Sequence, residues 1–175
     1  MSDTRLPSPH SLNSFCWQNS VQALMHIGGL TARVSAAWGT ANLALFVPVP
    51  CNGPFKIKRV AWENGSTASG NVDMGVYTAE GKLVVSSGST AQGTVNVQQV
   101  VDVTDTDIPP GLYYLALALS SATGTISGPA WTANVHRALG CYQMASAFPL
   151  PASATFADSA FAFYPAMHAT TVDVI

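Results

Sequence analysis

Between Asn42 and Leu119 apolar residues recur at every second position, in short runs cut by proline or glycine. That period suits strands and leaves no room for long helices. Leu43, Leu45 and Val47 alternate with Ala44, Phe46 and Pro48, and Pro48, Pro50, Gly53 and Pro54 are expected to close the strand. In Phe55–Trp62, Phe55 and Ile57 face one side, Lys56 and Lys58 the other. Asn64-Gly65 reads as a hairpin turn. Val72, Met74 and Val76 oppose Asp73, Gly75 and Tyr77, and Glu80-Gly81 turns the chain into Leu83–Ser86. Thr94–Val103 is the clearest strand, with Val95, Val97, Gln99, Val101 and Val103 in one row and Asn96, Gln98, Val100 and Asp102 in the other. Pro109-Pro110-Gly111 ends it. Leu112–Leu119 follows, apolar on both faces as a central strand must be. Beyond Gly124, Thr125–Ser127, Cys141–Ala145 and Ala160–Tyr164 read as strands between proline-rich loops. The series predicts an all-β fold over residues 41–175: an antiparallel two-sheet sandwich, jelly-roll-like in topology.

Residues 1–40 read as an extended N-terminal arm. Leu6-Pro7-Ser8-Pro9 disfavours helix. Ser14–His26 fits one short helix, capped by Ser14, with Val21, Leu24 and Met25 on one face and Gly28-Gly29 at its end.

Charge is scarce and unevenly placed. Ten of the sixteen charged side chains lie between Lys56 and Asp107, and the flanks carry only Asp3, Arg5, Arg33, Arg137, Asp158 and Asp173. Charged residues make up 9% of the chain against 48% apolar ones, where an ordinary soluble domain carries about 25% charged residues. A monomer of this mass exposes roughly 8,000 Å², thinly covered by so few charges. The neutral flanks are therefore expected to bury themselves against copies or partners. Aromatic and aliphatic residues there are the candidate contacts: Phe15, Trp17, Leu24, Met25, Trp38, Trp131, Phe148, Phe161, Phe163 and Tyr164.

Several chemistries are disfavoured. A formal charge of −2 offers no basic surface for nucleic acid. The longest apolar run, Leu112–Leu119, is far short of the ~20 residues that cross a bilayer, and Met1–His10 has Asp3 and two prolines in place of a leader's basic start. No membrane insertion is expected. Cys16, Cys51 and Cys141 lack CxxC spacing and read as thiols in a reducing cytoplasm, with one disulfide between an unspecified two of them as the alternative. The spacings His136–Cys141 and His10–Cys16 do not supply a zinc set. Asp102, Asp105 and Asp107 are hard oxygen ligands of the kind calcium takes, but without EF-hand spacing they read more simply as solvated carboxylates. Asp73 joins them only if the fold brings it near. Motifs for nucleophilic, metallohydrolase, phosphate-loop or dinucleotide chemistry are absent from the sequence. No catalytic residue and no cofactor is assigned.

Residues 55–119 also resemble a known module. The segments carrying the likeness are Gly70-Asn71-Val72-Asp73-Met74-Gly75-Val76-Tyr77, Ser86-Ser87-Gly88-Ser89-Thr90 and Pro110-Gly111-Leu112-Tyr113-Tyr114-Leu115-Ala116-Leu117. They resemble a β-sandwich found in small structural proteins of tailed bacteriophages, encoded among tail or other virion genes. The resemblance implies a non-enzymatic virion component, made in the host bacterium, that assembles with itself (a trimer is favoured) and with other virion proteins, as a capsid decoration or tail-associated accessory. A rival expectation is a receptor-recognition module of a tail fibre or tip, in which Trp62, Tyr114 and Trp131 stack on a host surface glycan.

Overall fold

Strand β8 (Gly111–Leu119) is buried from Tyr113 onward, and the sandwich is built around it. The computed structural model describes residues 34–171. In chain order these form β1 (Val34–Ala37), β2 (Ala44–Cys51), β3 (Phe55–Glu63), β4 (Asn71–Thr78), β5 (Leu83–Ser86), β6 (Thr90–Ala91), β7 (Gln98–Ile108), β8, β9 (Thr125–Gly128), a short helix α1 (Ala133–Ala138), β10 (Tyr142–Met144), β11 (Ala157–Asp158) and β12 (Met167–Thr170).

A seven-stranded sheet runs β11-β10-β2-β8-β4-β5, with β6 also on β4; a three-stranded sheet runs β12-β3-β7; β1 and β9 form a separate pair. All pairings are antiparallel. Consecutive β2 and β3 lie in opposite sheets, as do β7 and β8, while β2 pairs with β8 and β3 with β7. A paired ribbon is thus folded over on itself, which is the jelly-roll arrangement. The molecule is an all-β antiparallel sandwich of that kind.

The main core lies between the sheets, where Leu45, Val47, Ile57, Val60, Trp62, Val72, Met74, Val76, Leu115 and Leu117 meet. A second, smaller core lies on the outer face of the larger sheet, with Phe46, Tyr77, Tyr114, Ala116 and Ala118 beneath Ala147, Leu150 and half-buried Phe156. The strip from Ala145 to Phe156 straps that face. Leu83 N donates to Ala152 O at 3.0 Å, Ala154 N to Gly81 O at 2.7 Å and Ala147 N to Asn42 O at 2.7 Å. β8 is therefore apolar on both faces because both are covered.

Four expectations need correcting. Pro48 and Pro50 do not close β2; the strand runs through them, opposite Tyr114 and Leu112. β10 pairs only with Ala44–Phe46, so beyond that point β2 has no strand on that side among the described residues, and two missing amide hydrogens cost no ladder bond there. The strand read over Thr94–Val103 occupies Gln98–Ile108 instead. Thr94–Val97 curls around Asn64-Gly65, where Asn64 N donates to Val97 O and Asn96 N, at φ 55°, to Gly65 O. Ala160–Tyr164 is not a strand; only Phe163 bridges, to Ala130. The ordered domain begins before residue 41, since β1 pairs with β9 and Trp38 N donates to Gly124 O. Helix α1, capped by Thr132 Oγ1 accepting from Val135 N, and β12 were not anticipated. The helix over Ser14–His26 lies outside the described residues.

Candidate functional site

The acidic row falls on β7, and its neighbour strand occupies two of the three carboxylates. Lys56 Nζ donates to Asp107 at 2.9 Å, and Arg59 Nε donates to Asp102. The bond it donates to Asp107 raises the Lys56 ammonium's pKa above its ordinary value. Asp73 sits on β4 in the other sheet and is not brought to them. Among the described residues no group of three or more His, Cys, Asp or Glu converges as metal ligands do.

The aromatic candidates fare differently. Trp62 is 0% exposed, so it offers no face to a sugar. The cause is a register shift on β3 between Ile57 and Arg59. Strict alternation from Phe55 and Ile57 would turn Arg59 inward and Trp62 outward; the shift instead brings Val60 and Trp62 into the core and frees Arg59 for Asp102. Trp62 Nε1 then donates to Asn64 Oδ1 at 2.9 Å. Tyr114 is buried in the outer core, 4.7 Å from the Phe156 ring. Of the three glycan candidates only Trp131 is partly open, with its ring 4.8 Å from Tyr164.

The interface candidates divide in the same way. Trp38, Phe163 and Tyr164 are buried within the chain, and Trp38 Nε1 donates to Leu43 O at 2.9 Å. Their apolar surface is hidden by this protein's own core. Trp131, Phe148 and Phe161 are half-buried, each packed against a core while keeping an open side. Phe15, Trp17, Leu24 and Met25 lie outside the described residues.

Three residues that the sequence did not single out for these roles organise the surfaces. Asn64, read as part of a hairpin turn, instead lies buried where the chain crosses from β3 in one sheet to β4 in the other; its Nδ2 donates to Thr94 O and Gln99 Oε1. Asp73 is buried beneath the strap, where it accepts from Leu150 N at 2.9 Å and from Ser87 Oγ at 3.3 Å. Burial raises its pKa against the pull of those bonds. Tyr77 lies beside it and donates to Pro151 O at 2.6 Å.

His136, on α1, is 1% exposed, and neither imidazole nitrogen has a hydrogen-bond partner. It lies edge-on to Trp131 and Tyr164, with ring centroids 6.2 and 6.0 Å away. Burial lowers its pKa to about 4 and pushes the Cys141 thiol up to about 12. At neutral pH the pair is therefore a neutral imidazole and a protonated thiol, the opposite of an activated nucleophile. Cys51 and Cys141 are both free and buried.

Around these residues the surface is neutral. From Ile108 to Thr171 the only charged side chains are Arg137 and Asp158, while Lys56, Arg59, Asp102, Asp105 and Asp107 all belong to the smaller sheet. No helix of the described residues is long and apolar enough to cross a membrane. The fold and this neutral surface define an antiparallel jelly-roll-like sandwich with one charged sheet. Protein-family models, curated proteins and solved structures yielded no match to the chain.

Proposed function

We propose that this protein is a non-enzymatic structural component of a bacteriophage virion, which oligomerises and attaches to the particle as a capsid decoration or tail-associated accessory. The observation that carries the reading is the segregation of charge. The smaller sheet bears ion pairs suited to water, whereas the strap, α1 and the Trp131–Tyr164 corner carry almost none and keep half-buried aromatic rings at their surface. A surface short of charge and fringed with Trp and Phe suits contact with protein. The phage setting and the preference for a trimer rest on the resemblance of residues 55–119. Burial of Trp62 and Tyr114 leaves the glycan reading with one aromatic face, so assembly is the stronger conclusion.

Two measurements test it. Light scattering of the full-length protein should give the mass of a closed oligomer, and antibody labelling of intact particles should place the protein at a repeated position on capsid or tail. A monomer at tens of micromolar, absent from purified particles, refutes the proposal.

A further inference from the structure

Two Asn-Gly pairs lie within the described residues, Asn52-Gly53 and Asn64-Gly65, and the fold treats them oppositely. Glycine lacks the β-carbon that would crowd its own nitrogen, so in such a pair that nitrogen can approach the asparagine carboxamide carbon. The other described asparagines precede Leu43, Val72, Val97 and Val135, whose side chains obstruct the same approach.

Asn64-Gly65 is closed to that reaction. Asn64 is 1% exposed; its Oδ1 accepts from Trp62 Nε1, and its Nδ2 donates to Thr94 O and Gln99 Oε1. Gly65 N donates to Thr125 O at 2.9 Å, and a β-carbon built on Gly65 would stand 2.3 Å from Ser35 Oγ. Neither nitrogen nor carboxamide can move without breaking those bonds. Asn52-Gly53 is held by none of them. It lies in the crossing, residues 52–54, from β2 in the larger sheet to β3 in the smaller. Asn52 is exposed and the chain bends at Gly53. Among the described residues neither the Asn52 carboxamide nor Gly53 N makes a hydrogen bond. Cys51 Sγ donates to Gly53 O at 2.9 Å, which steadies the far side of the residue and leaves its nitrogen unengaged.

We propose that Asn52-Gly53 is a site of spontaneous covalent modification in the folded protein, where asparagine becomes aspartate and isoaspartate, while the fold spares Asn64-Gly65. Gly53 N gives its proton to solvent base and bonds to Asn52 Cγ; Nδ2 takes up a proton and leaves as ammonia. Water then opens the cyclic imide. Addition at Cγ breaks the new C–N bond and yields aspartate, whereas addition at the main-chain carbonyl breaks the original peptide bond and yields isoaspartate. Water in and ammonia out balance the change, and nothing is oxidised or reduced. Each conversion adds one negative charge to a chain of formal charge −2. Isoaspartate also lengthens the main chain by one carbon between Cys51 and Phe55, each 4% exposed and paired opposite Gly111 and Ile108.

Trypsin places the two pairs on separate fragments, 34–56 and 60–82. Folded full-length protein is aged in mildly alkaline buffer made with heavy-oxygen water, then digested in ordinary water, so that only conversion during ageing carries the label. Mass spectrometry of the fragments should show Asn52 converting at least about tenfold faster than Asn64, which must first open locally. In urea the two rates should agree within about twofold, because both pairs are then equally exposed. Equal rates in the folded protein overturn the proposal. A tenfold difference that persists in urea also overturns it, by assigning the selectivity to flanking residues. Gly53→Ala should slow conversion of fragment 34–56 at least about fivefold and leave 60–82 unchanged. Conversion of 34–56 that survives this substitution belongs to Asn42, the other asparagine of that fragment, and refutes the assignment. Electron-transfer fragmentation should locate the label at position 52 in both the aspartate and the isoaspartate product.

Discussion

β7 and β8 are consecutive strands of 11 and 9 residues, joined at Pro109-Pro110, and they live in opposite surroundings. β8 lies between β2 and β4, with the main core on one face and the strap on the other, so Tyr113–Leu119 is buried throughout. Among the described residues β7 has one neighbour, and even its core-facing valines remain half-exposed. The value of an apolar side chain here is set by the number of strands around it, more than by the residue's own hydrophobicity. Truncation gives the largest test of that contrast. Leu117→Ala should cost about 3–5 kcal/mol, because a filled central position becomes a cavity. Val101→Ala should cost about 1 kcal/mol or less, since water already reaches its site. Urea unfolding measures both, and equal losses would mean that β7 is as enclosed as β8.

The contrast was largely legible in the sequence. Unbroken apolar character marked Leu112–Leu119 as central, and alternation placed Val72, Met74 and Val76 on one face of β4, as found. The charge gradient likewise separated the middle of the chain, from β3 to β7, from the neutral flanks. Alternation could not supply the phase. One register shift on β3 reverses inside and outside after Ile57, which took Trp62 from candidate sugar platform to core. Asp73 stood in a visible alternating row, yet its burial depends on Leu150, 77 residues onward, folding back over it. His136 gave no local signal, because its enclosure is made by Trp131 and Tyr164.

His136 extends the comparison to the neutral corner, where burial was achieved without a hydrogen bond. Its pKa lies at about 4 in the folded chain, against 6.5 ordinarily. Between those values the unfolded chain takes up a proton that the folded chain refuses. Stability is therefore undiminished above pH 6.5 and falls as pH drops towards 4, by about 3 kcal/mol in all. The groups packed against the imidazole, Trp131 and Tyr164, bear no charge at these pH values, so no neighbour offsets the loss. Chemical denaturation from pH 7.5 to 4 should show the slope, and His136→Phe should flatten it. An unchanged slope in the variant would assign the acid sensitivity to other groups.

The strap poses the same question for the outer face of β8. Asp73→Ala strands the buried Leu150 amide and should cost about 1–3 kcal/mol. Asp73→Asn keeps an acceptor, removes a buried charge and should stay within about 1 kcal/mol of the parent. The wild-type carboxyl has its pKa raised by burial, so its sign is opposite to that of His136. The folded chain holds this proton more tightly, and the group's contribution is lost as pH rises from 3.8 through the raised value. Thermal unfolding of both variants, with limited proteolysis of Ala145–Phe156, shows whether the strap loosens before the sandwich. If the alanine variant loses nothing, the outer core holds the strap without Asp73.

The smallest effect is expected where β7, and Val97 in the curl just before it, meet water. Val97→Ser and Val100→Ser remove methyl groups that are 49% and 38% exposed, so each should change stability by less than about 0.5 kcal/mol. The same pair on β8, Leu115→Ser and Leu117→Ser, would abolish folding, because two buried hydroxyls would join two cavities. Near-neutrality at β7 is informative for that reason: residues with so little to contribute to the isolated chain remain apolar on an edge that Asp102, Asp105 and Asp107 already keep soluble. Unfolding the serine variants in urea, and weighing them by light scattering across a dilution series, sharpens the contrast. Unchanged unfolding of the subunit with an oligomer that dissociates at higher concentration than the parent would assign these valines to contact between chains. A loss of subunit stability above about 1 kcal/mol, with assembly unaffected, would instead make them members of the core and erase the distinction between the two strands.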